Sequence, residues 1–223
     1  MEINTPIAED IHATDESTNY DAACKRLLSE KSILAWIMKS CLEEYRDCTI
    51  QEIAETYIES QPQVGEVPVA PDETNAAHVR GVSNEDTSLT EGTVTYDIRF
   101  LASAPASDRL IQLIINVEAQ GRFDPGYRLI KRGIYYGCRM ISAQYGTEFT
   151  HAQYQKIKKV YSIWVCMVPP KERRNSITRY RLVEENVIGT VKEQIRDYDL
   201  LSVVMLCLGG DKGENYNGVL KLL

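Results

Sequence analysis

Two long apolar runs constrain the fold of this chain more than any other feature. Residues 110–119 (LIQLIINVEA) and 160–168 (VYSIWVCMV) are almost continuously hydrophobic, which is typical of strands covered on both faces. Between them, Pro125 and Gly126 precede a helical pattern that continues to about Gln144. A strand, a helix and a second strand in this order predict two parallel strands joined by a right-handed crossover. The sequence therefore predicts an α/β fold.

The other segments predict a mixed sheet flanked by helices. A helical apolar stripe restarts near Lys31 and runs through 33–47. Residues 94–100 alternate between apolar and polar side chains, which predicts a strand, and a turn at 102–109 then leads into the first apolar run. This hairpin adds an antiparallel strand to the parallel pair. Further strands are expected at 177–184 and 200–208.

Length and composition indicate one folded domain. The chain has 223 residues, of which 43% are apolar and 26% charged, enough for one core and few for two. Residues 1–17 are acidic and aperiodic, so we expect a flexible tail before a single domain at 18–223. A long loop or insertion is expected at about 61–92. A C-terminal truncation is one interpretation of the helix that begins near Gly218 and stops at the end of the sequence.

The sequence lacks the features of membrane and secreted proteins. Its longest uninterrupted apolar stretch, 203–208, is far shorter than the roughly 20 residues of a membrane-spanning helix. The N-terminus is acidic, without the basic start and apolar core of a signal peptide, so we expect a cytoplasmic protein. The six cysteines lie in apolar segments without a CxxC pair, which predicts buried free thiols.

The charge is distributed unevenly along the chain. The net charge of −7 argues against a protein that coats nucleic acid through bulk electrostatics. Most acidic residues precede residue 94, however, and most basic residues follow it. The segment 121–160 carries eight Lys and Arg residues against Asp124 and Glu148. A second basic segment, PPKERR at 169–174, is expected to be a turn between strands with no function of its own.

Two carboxylates fall on the predicted hairpin. Glu118 lies in the first apolar run, where an ionised carboxylate is costly unless it is paired or metal-bound. The antiparallel hairpin brings Asp97, near the start of one strand, toward Glu118, near the end of the other. Two oxygen donors without nearby histidine or cysteine suit Mg²⁺ or Mn²⁺ better than zinc. Glu44, beside the stripe of the first long helix, is a candidate third ligand.

The same residues have a purely structural interpretation. Asp97 and Glu118 are also suitable salt-bridge partners for Arg99 or Arg128, and an Asp, a Glu and Gln120 form a weak pattern by themselves.

Six segments together carry a resemblance to a known family. They are LLSEKSILAWIMKSCLEEY, TYDIRF, LIINVEAQ, PGYRLIKRGIYYGCRMISAQ, KIKKVYSIWVCM and YDLLSVVMLCLGG, in this order over residues 20–223. The chain resembles the PD-(D/E)XK nuclease superfamily, in its branch of nuclease-family transposases and recombination-promoting nucleases. The resemblance implies a restriction-endonuclease-like core.

The resemblance also implies roles for individual residues. The family's helix glutamate falls on Glu44, its strand aspartate on Asp97, and its D/E-x-K element on Glu118, Ala119 and Gln120. In the family the acidic residues and a backbone carbonyl, here that of Ala119, hold the metal, so the implied metal set is Asp97, Glu118, Ala119 and Glu44. The family's lysine orients water, and Gln120 departs from it.

The family's basic helix falls on residues 127–144. It offers phosphate contacts, for which the candidates are Arg128, Lys131, Arg132, Tyr135 and Arg139. Because Gln120 carries no charge, Lys131, Arg132 or Arg128 would supply the positive charge that the family's lysine provides.

The implied function is a Mg²⁺-dependent DNA endonuclease in the context of recombination. Its catalytic residues would be Asp97, Glu118, Gln120, Glu44 and Lys131, its cofactor Mg²⁺ or Mn²⁺, and its partner DNA. The first alternative is a catalytically weakened member that binds DNA or a protein. The second is a toxin-like or regulatory protein that binds through its acidic half. The oligomeric state stays open, with a homodimer among the options.

Overall fold

The computed structural model describes residues 17–59, 62–64, 85–88, 92–105, 110–209 and 218–223. Its α-helices are α1 (Ser17–Ser29), α2 (Lys31–Cys41), α3 (Ile50–Glu52, extended by a π-helical turn, Ile53–Tyr57), α4 (Leu129–Ser142), α5 (Ile195–Tyr198) and α6 (Val219–Leu222). Its strands are β1 (Gln63–Val64), β2 (Glu85–Ser88), β3 (Gly92–Thr95), β4 (Ile98–Pro105), β5 (Leu110–Gln120), β6 (Lys159–Cys166), β7 (Ser176–Arg181) and β8 (Leu201–Cys207). Short 3-10 turns occur at Glu43–Tyr45, Tyr154–Lys156 and Lys171–Arg173.

A mixed sheet forms the centre of the molecule. Its strand order is β1-β4-β5-β6-β8-β7, while β2 and β3 form a separate two-stranded sheet. Strand β5 pairs antiparallel with β4 and parallel with β6, and β6 pairs parallel with β8. The expected α/β class with a mixed sheet flanked by helices is therefore confirmed. Within the described ranges, no helix has both the length and the apolarity to cross a membrane.

Each face of the sheet carries its own core. On one face, Ile115 and Tyr161 pack in a cluster with buried residues of α2 such as Leu34 and Met38. On the other face, α4 lies over Trp164. Helix α4 approaches the sheet closely because Gly133 has no side chain: a Cβ there would lie 2.7 Å from Val203 and 2.9 Å from Trp164. The strands are therefore covered on both sides, as their apolar runs predict.

Three local expectations need correction. The predicted strand 94–100 is interrupted at Tyr96 and Asp97, because Tyr96 turns under α4 and packs edge-on against Tyr136. The predicted turn at 102–109 begins later, since β4 continues to Pro105 and pairs with β5 throughout; residues 106–109 lie outside the described part. The expected loop at 61–92 contains β1 and β2. Residues 61, 65–84 and 89–91 of that loop, and 1–16 of the expected tail, also lie outside the described part.

Two helices also differ from the expected ones. Helix α2 ends at Cys41, because Leu42 is extended (φ −109°, ψ 135°), so Glu44 lies in a 3-10 turn rather than on the helix. Helix α4 ends at Ser142, slightly before the expected end near Gln144; it buries Leu129, Gly133, Tyr136 and Met140, while the apolar Ile134 is 43% exposed. On the side of α4 that faces the sheet, the ring of Tyr136 packs against Trp164, with ring centroids 5.5 Å apart. All six cysteines are free, and four of them are buried.

Candidate active site

Asp97 and Glu118 lie directly opposite each other on neighbouring segments. The β4–β5 register pairs Ile98 with Val117, which places the preceding residue, Asp97, beside the following one, Glu118. The backbone N–H of Asp97 donates to Glu118 Oε1 over 3.1 Å, and the N–H of Ala119 donates to Asp97 Oδ2 over 3.0 Å. These reciprocal bonds fix both carboxylates at the open end of the β4–β5 hairpin, where the pairing of the two strands begins. The structure thus brings together the two residues that the sequence singles out.

Glu118 is a buried carboxylate with little compensation for its charge. Its side chain accepts a further hydrogen bond from Asn116 Nδ2 over 3.0 Å, and both of its donors are electrically neutral. Burial, followed by the nearby charge of Asp97, raises the pKa of Glu118 to about 8. Among the described residues no donor reaches Glu118 Oε2, and the buried Asn116 Oδ1 also has no hydrogen-bond partner.

Two cations border this pair. Lys25, on α1, places its Nζ 3.0 Å from Asp97 Oδ1. Arg132, on α4, donates to the hydroxyls of Tyr127 (2.8 Å) and Tyr136 (2.6 Å), and its positive charge works against the rise in the pKa of Glu118. Sequence reasoning missed Lys25, because nothing in the α1 sequence distinguishes it from the neighbouring Arg26.

The other predicted residues of the D/E-x-K element and of α4 lie in different settings. Gln120 donates from Nε2 to the backbone carbonyl of Arg122 over 2.6 Å. Arg128 and Lys131 are exposed at the start of α4. Tyr135 is also exposed, whereas Arg139 is buried and donates to the Tyr135 hydroxyl over 3.1 Å. The exposed members of the predicted phosphate-binding set therefore lie near the N-terminal half of α4.

The structure does not bring Glu44 to this pair. Glu44 accepts hydrogen bonds from the Tyr161 hydroxyl (2.7 Å to Oε2) and from Lys159 Nζ (3.1 Å to Oε1). Tyr161 belongs to the core on the α2 face, whereas Trp164, which pairs with Glu118 in the β5–β6 register, belongs to the core on the α4 face. The early end of α2 thus directs Glu44 into a different cluster from the one the resemblance implies.

The oxygen donors around Glu118 determine whether a divalent cation fits there. Within the described ranges, no group of three or more His, Cys, Asp and Glu side chains is arranged to hold a metal. Asp97 and Glu118 nevertheless provide two carboxylates, and Asn116 Oδ1 is a buried oxygen without a donor. Oxygen donors of this kind fit Mg²⁺ or Mn²⁺, whose charge would compensate the buried Glu118.

A scan of protein-family models and searches of curated proteins and of solved structures found no match to this chain.

Proposed function

We propose that this protein is a metal-dependent DNA endonuclease that hydrolyses phosphodiester bonds. The observation that carries the proposal is the pair formed by Asp97 and Glu118, in which a buried carboxylate with a raised pKa faces a second carboxylate. Positively charged Lys25 and Arg132 border the pair, as a site that receives a phosphodiester requires. The family resemblance supports the same chemistry.

The metal would be held by Asp97, Glu118 and the backbone carbonyl of Ala119. A divalent ion bound there would lower the pKa of a coordinated water and neutralise charge on the phosphate. Glu44 is not in this set, because its carboxylate is bonded to Tyr161 and Lys159 on the other face of the sheet. Gln120, whose amide donates to the Arg122 carbonyl, would help to orient water but adds no charge.

The chain's own cations would perform the electrostatic part of the reaction. Water attacks phosphorus, the bond from phosphorus to the leaving oxygen breaks in line, and negative charge increases on the phosphoryl oxygens. Lys25, in contact with Asp97, is placed to stabilise that charge, which is the task of the lysine that Gln120 replaces. Exposed Arg128 and Lys131 would contact phosphates next to the cleaved bond.

A plasmid-cleavage assay tests this proposal. Purified protein with supercoiled plasmid and Mg²⁺ or Mn²⁺ should produce nicked and linear DNA, and EDTA should abolish both products. Asp97→Asn and Glu118→Gln, which preserve the size of the side chains, should lower the rate by about 100-fold or more. Asp47→Asn, at an exposed position away from the pair, is the matched control and should keep the wild-type rate. Equal cleavage by all four proteins would contradict the proposed site.

A second candidate function has one specific observation in its favour. The lysine position of the D/E-x-K element is occupied by Gln120, which carries no charge and so offers no cation to the reaction. Its amide already donates a hydrogen bond to the Arg122 carbonyl. A catalytically weakened protein that binds DNA would show salt-dependent retention on DNA without cleavage. In that case Lys131→Ala should weaken retention while Asp97→Asn should not, because the first residue would contact phosphate and the second would not.

A further inference from the structure

A long, fully exposed segment connects β7 to α5. Every residue from 181 to 197 is exposed, although the segment contains six large apolar side chains. Val187 is 87% exposed and Ile188 is 94% exposed. The other four are Leu182, Val183, Val191 and Ile195. Six large apolar side chains exposed on one segment are unusual for a monomeric protein, so this segment, here called the arm (182–195), is expected to have a partner.

The arm has a defined base. The backbone N–H of Glu193 donates to the carboxylate of Glu184 over 3.3 Å, which closes a ten-residue loop. Gly189 has a φ of +88°, a left-handed conformation that lets the chain reverse next to Ile188. Val187 and Ile188 are thereby held away from the core of their own chain.

Strand β7, which leads into the arm, is an edge strand. It pairs with β8 on one side, and no strand of the described part pairs with its other side. The backbone groups along such an edge are a template for another strand. The unpaired backbone edge of β7, next to the exposed arm, therefore favours an extended protein segment as the partner.

Strand β7 is compatible with pairing to itself. When two copies pair antiparallel about a two-fold axis, one residue lies opposite its own counterpart. Two registers pair most of β7 with β7 of the second copy: one places Thr178 on the two-fold axis, and the other places Arg179 there. The second would place two Arg179 side chains opposite each other, whereas the first places Thr178 opposite Thr178 and Arg179 opposite Ile177. The register centred on Thr178 is therefore the favourable one.

In this arrangement the arm leaves β7 beside residues 168–174 of the second copy. That segment carries Lys171, Arg173 and Arg174 against the single acidic residue Glu172, and it begins at Val168, which is 68% exposed. The arm begins with Glu184 and Glu185, followed by apolar Val187 and Ile188. Acidic groups would thus meet basic groups, and apolar residues would meet Val168. Within one copy the arm and this basic turn lie at opposite ends of β7, roughly 20 Å apart for six extended residues, so only a second copy brings them together.

We propose that β7 and the arm form a two-fold interface with a second copy of this chain. The two β7 strands pair antiparallel around Thr178, and each arm contacts the basic turn and Val168 of the other copy. The interface does not depend on the proposed nuclease activity, because neither element contributes to the pair formed by Asp97 and Glu118. It also assigns a role to the PPKERR segment.

Analytical ultracentrifugation of the full chain tests the interface. The wild-type protein should sediment as a dimer at micromolar concentration, and Ile188→Glu should shift it to the monomer. Leu110→Glu is the matched control, because Leu110 is 61% exposed at the start of β5, away from the arm, and it should leave the dimer unchanged. A monomeric wild-type protein, or a dimer that Ile188→Glu leaves intact, would overturn the proposal.

A charge exchange tests the contact between arm and turn. Glu185→Lys and Lys171→Glu should each weaken the dimer by about tenfold, since like charges then face each other, and the double variant should recover the wild-type affinity. Independent effects that simply add would overturn this contact.

A cysteine at the two-fold axis tests the strand register. Under mild oxidation Thr178→Cys should form a covalent dimer, because opposed residues of paired strands have the Cα separation that a disulfide needs. Tyr180→Cys, opposite Ser176 rather than itself, is the control and should not cross-link. Cross-linking of the control but not of Thr178→Cys would overturn the register.

Discussion

Two clusters in this molecule are built from the same components but arrange them differently. One is the pair of Asp97 and Glu118 with Lys25; the other, here called the Glu44 cluster, consists of Glu44, Tyr161, Lys159 and Asp199. Each contains two carboxylates and one lysine. In the Glu44 cluster, Lys159 Nζ lies between the carboxylates, 3.1 Å from Glu44 and 2.6 Å from Asp199. The ammonium group therefore compensates both acidic groups at once.

The lysine of the other pair compensates only one carboxylate directly. Lys25 contacts Asp97, while the hydrogen bonds to Glu118 come from neutral donors. Burial and the charge of Asp97 therefore still raise the pKa of Glu118 to about 8. The position of the cation, rather than the number of charges, therefore separates a cluster that stabilises the fold from one with charge left to bind a ligand.

The largest expected effect concerns the cation of the Glu44 cluster. Lys159→Met should lower the free energy of unfolding by ~3–5 kcal/mol, because it leaves two largely buried carboxylates without their shared partner. Urea unfolding monitored by circular dichroism measures this loss. Lys156→Met, at an exposed lysine bonded to Gln153, is the control and should change stability little. A loss at Lys159 as small as that of the control would remove the distinction between the clusters.

The next effect tests the uncompensated charge of Glu118. Its pKa is raised from the ordinary value of 4.5 to about 8, so the folded state binds more protons than the unfolded state between these values, and its stability falls as the pH rises through this window. Glu118→Gln does not titrate. Its stability relative to wild type should therefore increase by on the order of 2–4 kcal/mol from about pH 5 to about pH 8.

Urea unfolding at several pH values measures this difference. Glu148→Gln is a suitable control, because Glu148 already pairs with Lys158. A stability difference between wild type and Glu118→Gln that does not vary with pH would show that Glu118 is compensated after all.

A smaller effect concerns the hydroxyl of the Glu44 cluster. Tyr161 is buried and donates to Glu44, so Tyr161→Phe should cost ~1.5–3 kcal/mol, the range for a hydrogen bond to a charged group. Tyr154→Phe, at a largely exposed ring, provides the comparison and should cost almost nothing. Thermal unfolding followed by circular dichroism is sufficient to measure the difference. A neutral Tyr161→Phe would indicate that Lys159 alone holds Glu44.

The sequence predicted the features that depend on local patterns. The apolar runs of β5 and β6 are recognisable because strands covered on both faces need hydrophobic residues at nearly every position. Asp97 and Glu118 were also placed correctly toward each other, because an antiparallel hairpin determines which residues oppose one another. Both predictions depend only on neighbouring segments.

The features that were missed depend on contacts between distant segments. The position of Glu44 follows from the extended conformation of Leu42, which ends α2 early and turns the carboxylate toward Tyr161 and Lys159, more than 100 residues further along the chain. Lys25 resembles any solvated helix lysine until the fold places it next to Asp97. No periodicity in the sequence encodes either contact.

The smallest expected change in stability, and the sharpest test of function, is at Gln120. Gln120→Lys should alter the free energy of unfolding by less than ~1 kcal/mol, because the side chain lies at the partly exposed end of β5, where an ammonium group can also donate to the Arg122 carbonyl. If the site is a nuclease limited by the missing charge, the variant should cleave plasmid faster than wild type, and Asp97→Asn should abolish the gain. Gln120→Met, which adds no charge, is the matched control. If Gln120→Lys and Gln120→Met cleave plasmid at the same rate, a charge at position 120 is not what limits the reaction, and Lys25 and Arg132 already supply the charge next to Glu118. The difference between the two clusters would then be the raised pKa of Glu118 and not a missing cation.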